Sequence, residues 1–311
     1  MTIRNLQYLF KPASIAIIGT GTQADGTEAN LVRNLMLAGF QGPIMPVIAD
    51  GRALQGILSY EDIDRLPVDP QMAIITRPLD QVPQLIRALG ARGARAVVLI
   101  SDEPFDGRQE RQQLLSQAIL EAARPYLLRV LGPDSFGLTS PRNGLNASSG
   151  QIEVHPGQIA VVTQSAAVLR ALLEWASVRE IGFSHAVSVG AKLDVDFGDM
   201  MDFLAQDVHT RAILFHLEEI RNARKVMSAA RIAARIKPVV VLKPRQLGGG
   251  SLVEDAIYDA AFQRAGVLRV NRIEQLFNAA ETLATFKPVY NRRLAILGNS
   301  RSIGLLTYDL L

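Results

Sequence analysis

A glycine-rich segment near the start of the chain could bind phosphate. Four apolar residues run into Gly19, Gly21 follows, and Ala24 stands where a third small residue lets a helix pack closely on a strand. In such turns the main-chain N–H groups converge on an anion at the helix N-terminus. The spacing satisfies the dinucleotide fingerprint, and Asp50, after the next apolar run, could supply its ribose-binding carboxylate. An NAD site is therefore the first hypothesis.

A second turn between an apolar run and a helical pattern contains Thr163, Gln164 and Ser165. Its position is that of a nucleophile elbow, but the flanking glycines of that motif are missing. Serine is strongly preferred at the residue that caps a helix N-terminus. We therefore predict that Ser165 caps the helix and donates to an anion, rather than attacking a substrate.

Acidic residues cluster at Asp194, Asp196 and Asp199. They could hold a metal ion, but no histidine lies close enough in sequence to strengthen that hypothesis. They adjoin the first turn of a helix predicted near residues 199–206, and carboxylates there complement the helix dipole. Capping is the favoured role.

Two polar segments follow later apolar runs. Glu218 and Glu219 follow the apolar run at 212–217, at the edge where open α/β sheets bind ligands. They could be functional carboxylates or part of a solvated loop, and the sequence favours neither role. Residues 243–250 are basic and glycine-rich without Walker spacing, which favours a mobile loop over a phosphate site. The histidines stand far apart and are predicted to be structural or exposed: His155, His185, His209 and His216.

Composition narrows the class of protein. The 311 residues are 48% hydrophobic and 20% charged, with a net charge of +3 and no cysteine. Disulfides, thiolate catalysis and cysteine-ligated zinc are excluded. No dense basic run interleaved with aromatic residues points to nucleic acid, and no apolar stretch is long enough for a signal core or a membrane span. We expect a globular cytoplasmic protein with neither nucleic-acid nor membrane partners.

Short apolar runs alternate with helical patterns, which predicts an α/β fold with doubly wound parallel sheets. Strands are predicted near residues 14–18, 44–48, 72–75, 96–100, 128–131, 158–162, 184–188, 212–216 and 238–242. Helices are predicted near 27–38, 80–91, 108–123, 166–178, 199–206, 222–236, 254–265 and 272–284. Residues 132–137 end the first set of strands and helices, and residues 143–157 are predicted to connect it to the second set. The predicted domains are 1–148, 149–288 and, from 289 to 311, the start of a third α/β domain that is cut short.

Seven segments together resemble a known family over about residues 8–288. They are residues 10–19, 132–137, 164–167, 190–196, 218, 237–238 and 258–270. In the same order they look like the NDP-forming acyl-CoA synthetases, which include the α subunit of succinyl-CoA synthetase and the ADP-forming acetyl-CoA synthetases. The resemblance implies a CoA-binding Rossmann-like domain followed by a flavodoxin-like, succinyl-CoA-synthetase-like ligase domain.

The resemblance also implies site residues. Those implied to receive the CoA phosphates are Gly19, Thr20, Gly21 and Thr22. Those implied to line the CoA channel are Ile100, Ser101, Asp102, Glu103, Gly132, Pro133, Asp134 and Ser135. Asp50 falls where the family usually has an Asn-Pro-Lys-like turn, so Arg52 becomes the candidate cation for CoA. Gln164 and Ser165 would face a phosphoryl group, and Glu218 would match the glutamate that orients a phosphorylated histidine.

That histidine is missing from this chain. The family carries a Ser-His-Thr-Gly segment between a basic loop and the Tyr-Asp-Ala-Ala-Phe helix, and its histidine shuttles phosphate between acyl phosphate and nucleotide. Residues 243–258 contain no histidine, and none occurs after His216. Lysine and arginine bind phosphate but do not relay it at neutral pH. We therefore expect no ligase turnover and no metal, with Gln164, Ser165 and Glu218 vestigial.

A ligase region without its histidine, with Ala166 and Ala167 after Gln164-Ser165, resembles the Pat-type protein lysine acetyltransferases. That resemblance implies a regulatory region that binds CoA or acetyl-CoA, with protein lysine substrates, a GNAT domain and any ATP or ADP site beyond residue 311. An active acetate–CoA ligase and an NAD-dependent enzyme stay open as alternatives. Acyl preference and homo-oligomer formation are not decided by the sequence.

Overall fold

The chain folds into two sheets flanked by helices. A computed structural model describes residues 3–21, 26–101, 105, 109–244, 252–286 and 295–309. The strands are β1 (Ile15–Ile18), β2 (Ile44–Val47), β3 (Met72–Ile75), β4 (Ala96–Leu99), β5 (Arg129–Leu131), β6 (Gly137–Ser140), β7 (Leu145–Ser148), β8 (Pro156–Thr163), β9 (Phe183–Ser188), β10 (Ala212–His216), β11 (Val239–Leu242) and β12 (Leu268–Val270). The helices are α1 (Gln7–Phe10), α2 (Thr27–Leu37), α3 (Val82–Ala91), α4 (Glu110–Ala123), α5 (Ala166–Val178), α6 (Phe197–Gln206), α7 (Ala223–Ile236), α8 (Leu252–Ala265), α9 (Ile273–Thr285) and α10 (Arg301–Asp309).

The first sheet is parallel and has the strand order β2-β1-β3-β4-β5. Every residue of β1, β3 and β4 is buried. A parallel sheet covered by helices on both faces needs apolar residues throughout its strands, which is why the apolar runs predicted these strands closely. The predicted α/β class is confirmed.

The second sheet has the order β12-β11-β10-β8-β9-β6-β7. Strands β8 to β12 pair in parallel, whereas β6 runs antiparallel to both β7 and β9. The chain therefore passes from the first sheet to the second between Leu131 and Gly137. The division of domains at residue 148 stays a prediction.

The interpretation of residues 143–157 as a connection was wrong in part, because β7 and the start of β8 lie there. Strands β6 and β7 escape a search for apolar runs because they bury polar residues. Asn146 donates its side-chain amide to the Ile152 carbonyl at 3.0 Å, and Ser148 Oγ donates to Asn146 Oδ1 at 2.7 Å. Satisfied hydrogen bonds make such polar strands tolerable in a core.

One hydrophobic core joins both sheets. It contains Ile17 and Ile74 from the first sheet, Val162 and Phe215 from the second, and Leu31 from α2. Helix α2 lies between the sheets, and the buried Asn34 amide donates to the carbonyls of Ser148 at 2.9 Å and Gly150 at 2.7 Å. The relative position of the two sheets is thus set by packing and by hydrogen bonds.

Residues 295–298, in the predicted third unit, do not form a strand, although α10 follows. None of the described residues there pairs with another strand, and α10 buries none of its own residues. A strand needs a neighbour to satisfy its N–H and C=O groups, so an apolar run alone does not make one.

Candidate functional site

The carboxyl edge of the first sheet contains a topological switch point. The chain moves from β1 to β2 on one side and then to β3 on the other, so the ends of β1 and β3 border a crevice. Open α/β sheets bind ligands at such crevices. The implied CoA-binding residues that the structure describes lie at this edge, since Gly19–Gly21 follow β1, Ile100 and Ser101 follow β4, and Gly132–Ser135 follow β5. Thr22, Asp102 and Glu103 lie outside the described residues.

A buried carboxylate that the sequence did not single out lies inside the glycine loop. Glu28 Oε1 accepts a hydrogen bond from the Thr20 main-chain N–H at 3.1 Å and another from Thr76 Oγ1 at 2.7 Å. Its exposed fraction is 7%. The only sequence signal was an acidic residue in the first turn of α2, which normally indicates dipole complementation.

Asp50 and Arg52, the two candidate residues that follow the second apolar run, bind each other. Arg52 Nε lies 2.7 Å from Asp50 Oδ2, and the Arg52 N–H donates to Asp50 Oδ1 at 3.3 Å. The two side chains are 42% and 47% exposed. The Asp50 carboxylate therefore already neutralises the cation that the sequence offered for CoA.

Loops from the two sheets are joined beside this edge. The Ala191 N–H donates to the Pro133 carbonyl at 2.9 Å, and Ser135 Oγ donates to the Ser188 carbonyl at 2.6 Å. Gly190 has a φ of +54° and packs so tightly that a Cβ would collide with the Pro133 oxygen. The loop after β5, at 132–135, and the loop after β9, at 189–193, therefore form one unit.

The N-terminus of α5 opens into a cavity of about 680 Å³ between these loops. The Ser165 side chain accepts from the Val168 N–H at 3.4 Å, which confirms the predicted cap. Gln164 Oε1 accepts from the N–H groups of Glu218 and Glu219, both at 3.3 Å. The cavity lining brings Asp134, Gln164, Ser165 and Glu218 together.

Charges of both signs surround the cavity. Burial, and then the nearby Glu218, raise the pKa of Asp134. Burial, and then the charge of Arg221, lower the pKa of Lys192 to about 8, and the Lys192 ammonium donates to the Glu219 carbonyl at 3.4 Å. The α5 N-terminus and Arg221 line this cavity, and burial raises the pKa of the Asp134 carboxyl, so the cavity suits a phosphoryl group better than a cationic ligand.

Lys243 holds the main chain of Glu218 in place. Its ammonium donates to the Glu218 carbonyl at 2.9 Å and lies 4.9 Å from the centre of the Tyr258 ring. His216 ends β10 but is 4% exposed and does not line the cavity. Residues 245–250 of the basic glycine-rich segment lie outside the described residues.

The acidic cluster forms a helix cap, as predicted. Asp196 accepts from the Asp199 N–H at 3.0 Å, and Asp199 Oδ2 accepts from the Asp196 N–H at 3.1 Å, which completes a capping box for α6. The helix therefore begins at Phe197, two residues before the prediction. Asp194 binds Arg129 instead, at 2.7 Å. Within the described ranges, no group of three His, Cys, Asp or Glu side chains could hold a metal ion.

Comparisons with known proteins agree with this geometry. A CoA-binding domain model matches residues 13–141, and a succinyl-CoA-ligase-like flavodoxin domain model matches residues 156–283. The α subunit of acetate–CoA ligase (ADP-forming) I from Pyrococcus furiosus is 33% identical, over 98% of this chain and 69% of the relative. This chain belongs to the ADP-forming acetate–CoA ligase family. It is α-subunit-like, because the match to that α subunit extends over both domains.

Other family members extend the likeness. The acetate–CoA ligase (ADP-forming) I of Archaeoglobus fulgidus is 30% identical over 98% of this chain, which spans only 45% of that longer relative. The dinucleotide-forming acetyl-coenzyme A synthetase 1 of Ca. Korarchaeum cryptofilum, solved with phosphate and ADP, superposes with a TM-score of 0.88 at 30% identity, over 98% of this chain and 68% of that one. Across the described part of the chain, no helix is both long and apolar enough to cross a membrane.

Proposed function

We propose that this chain is the CoA- and phosphate-binding α-type region of an ADP-forming acyl-CoA ligase. One observation supports the proposal: the joined loops 132–135 and 189–193 set the carboxyl edge of the first sheet beside the N-terminus of α5, and Asp134 lines the same cavity as Gln164 and Ser165. The relatives named as acetate–CoA ligase α subunits support it.

This arrangement suits exchange between acyl-CoA and phosphate. A phosphate at the α5 N-terminus attacks the thioester carbonyl, a C–O bond forms, the C–S bond breaks, and acyl phosphate and CoA thiolate result. The α5 amides and Ser165 would hold the phosphate, and Gln164 would keep the Glu218 loop in place. Helix N-termini stabilise phosphate through their free N–H groups and dipole.

The missing histidine favours a second candidate, a regulatory region of a protein lysine acetyltransferase that binds acyl-CoA without turnover. Phosphate transfer to nucleotide would need a histidine between residues 243 and 258, and that segment has none. Exchange of the acyl group with phosphate does not need it. The two candidates therefore differ in whether CoA is released when phosphate is added.

The test is to mix the protein with acetyl-CoA and phosphate and to follow CoA thiol release and acetyl phosphate formation. Release above the uncatalysed rate is expected, and Ser165→Asp should reduce it at least tenfold because a fixed carboxylate repels phosphate. Ser165→Asn is the matched control, since Asn caps a helix equally well without charge. Acetyl-CoA binding without release would support the regulatory candidate, and absence of binding would contradict both.

A further inference from the structure

Glu28 changes what the glycine loop can bind. Its carboxylate already accepts the Thr20 N–H, and a Cβ at Gly19 would collide with the Glu28 side chain, so the space kept open by the glycine is filled from within the protein. A phosphate at that amide would lose the hydrogen bond and would meet a negative charge at close range. The loop therefore lacks an anion site at Thr20.

Arg77, which the sequence did not indicate as a site residue, lies beside this loop. Strands β1 and β3 pair with Ile18 opposite Ile75, and the Thr76 N–H donates to the Ile18 carbonyl at 2.9 Å. Arg77 is the next residue, so it lies at the mouth of the crevice between β1 and β3. Arg77 is half-buried, and among the described residues its guanidinium has no hydrogen bond or ion pair.

The two arginines at this edge thus differ. Arg52 is held by Asp50 at 2.7 Å, whereas Arg77 has no such partner among the residues that the structure describes. Arginine binds phosphate oxygens through two parallel N–H groups, which makes a partly desolvated, unpaired arginine a strong phosphate contact.

We propose that Arg77 holds the phosphates at the nucleotide end of an acyl-CoA, and that Glu28 keeps them off the Thr20 amide. This inference rests on the proposed function, because it assigns the phosphate contact of the same CoA edge. It departs from the dinucleotide pattern, in which the glycine loop itself binds the pyrophosphate.

Calorimetry on the full chain with CoA, 3′-dephospho-CoA and pantetheine tests it. Arg77→Gln should weaken CoA binding about tenfold to a hundredfold, as expected for loss of a charge-assisted contact, and should flatten its salt dependence. Pantetheine, which lacks phosphate, should bind the variant and the wild type equally. Arg77→Lys should recover part of the affinity, because it restores charge without the planar fork.

The matched control is Arg87→Gln, an exposed arginine on α3 that loses the same charge. Glu28→Gln keeps an acceptor for Thr20 and Thr76 and removes the charge, so CoA should bind several-fold more tightly. Unchanged CoA affinity in Arg77→Gln, or equal losses in Arg77→Gln and Arg87→Gln, would overturn the inference and leave the proposed function standing. Failure of the wild type to bind CoA would overturn both.

Discussion

At the scale of single residues, burial governs the ionisable groups near the site. His216 is buried opposite Leu242 where β10 and β11 end, and its Nδ1 has no hydrogen-bond partner among the described groups. Burial, and then the Lys243 charge, lower the pKa of His216 to about 4. The folded protein therefore keeps this histidine neutral under conditions that protonate it in the unfolded chain.

The lowered pKa of His216 predicts that the folded protein loses stability in acid. Between pH 6.5 and about pH 4 the unfolded chain binds a proton that folded His216 does not, so the free energy of unfolding falls as the pH is lowered through that window. His216→Leu should reduce the loss between pH 7 and pH 4 by about 1–3 kcal/mol in urea titrations. The exposed His209→Gln is the control, and equal pH profiles for wild type and His216→Leu would refute the role.

At the scale of elements, the contact between loops 132–135 and 189–193 aligns the two halves of the site. Gly190 occupies the left-handed region, and its Cα faces the carbonyls of Pro133 and Asp134. Gly39 has a comparable φ of +78°, but a Cβ there would meet nothing within 4 Å. Alanine substitutions at these two glycines therefore distinguish the cost of backbone strain alone from the cost of strain together with steric collision.

Gly39→Ala should cost about 1–2 kcal/mol of stability, the usual penalty for a side chain in the left-handed region. Gly190→Ala should cost more, since the loops must also move apart, and it should weaken phosphate-dependent CoA release as well as stability. Urea unfolding and the thiol-release assay measure the two effects. If both variants lose the same stability and both keep full release, the loop contact does not align the site.

At the scale of the whole molecule, the shared core predicts cooperative unfolding. Residues from both sheets and from α2 pack in one cluster, and Asn34 hydrogen-bonds across from α2 to the end of β7 and Gly150. Unfolding of either sheet would therefore expose core residues of the other sheet to solvent.

Scanning calorimetry should accordingly give one main transition. A ligand present at about 100 times its dissociation constant stabilises the folded state by roughly 2.7 kcal/mol, so CoA should move that whole transition upward. Two transitions, with CoA shifting only one of them, would show instead that the sheets unfold independently.

Much of this architecture follows from the sequence, because parallel strands and helix caps depend on local patterns. Apolar runs predicted the strands of both parallel arrays except β12, and Ser165 and Asp196 cap their helices through bonds to residues three positions away. The order of motifs also identified the family. Strands β6 and β7 were not predicted, because they bury polar residues and because β6 takes its place in the sheet by pairing with β9, which is distant in the sequence.

The site itself was decided by the tertiary structure. The carboxylate of Glu28 meets Thr76 across 48 residues, and Ala191 meets Pro133 across the two sheets. No sequence spacing encodes such contacts, since they arise only when strand order brings separate strand ends to one edge. The sequence by itself predicted a phosphate-binding type of loop and identified a CoA ligase family. Packing decided that Glu28 fills the loop and that Arg77 lies beside it without a hydrogen bond or ion pair among the described residues.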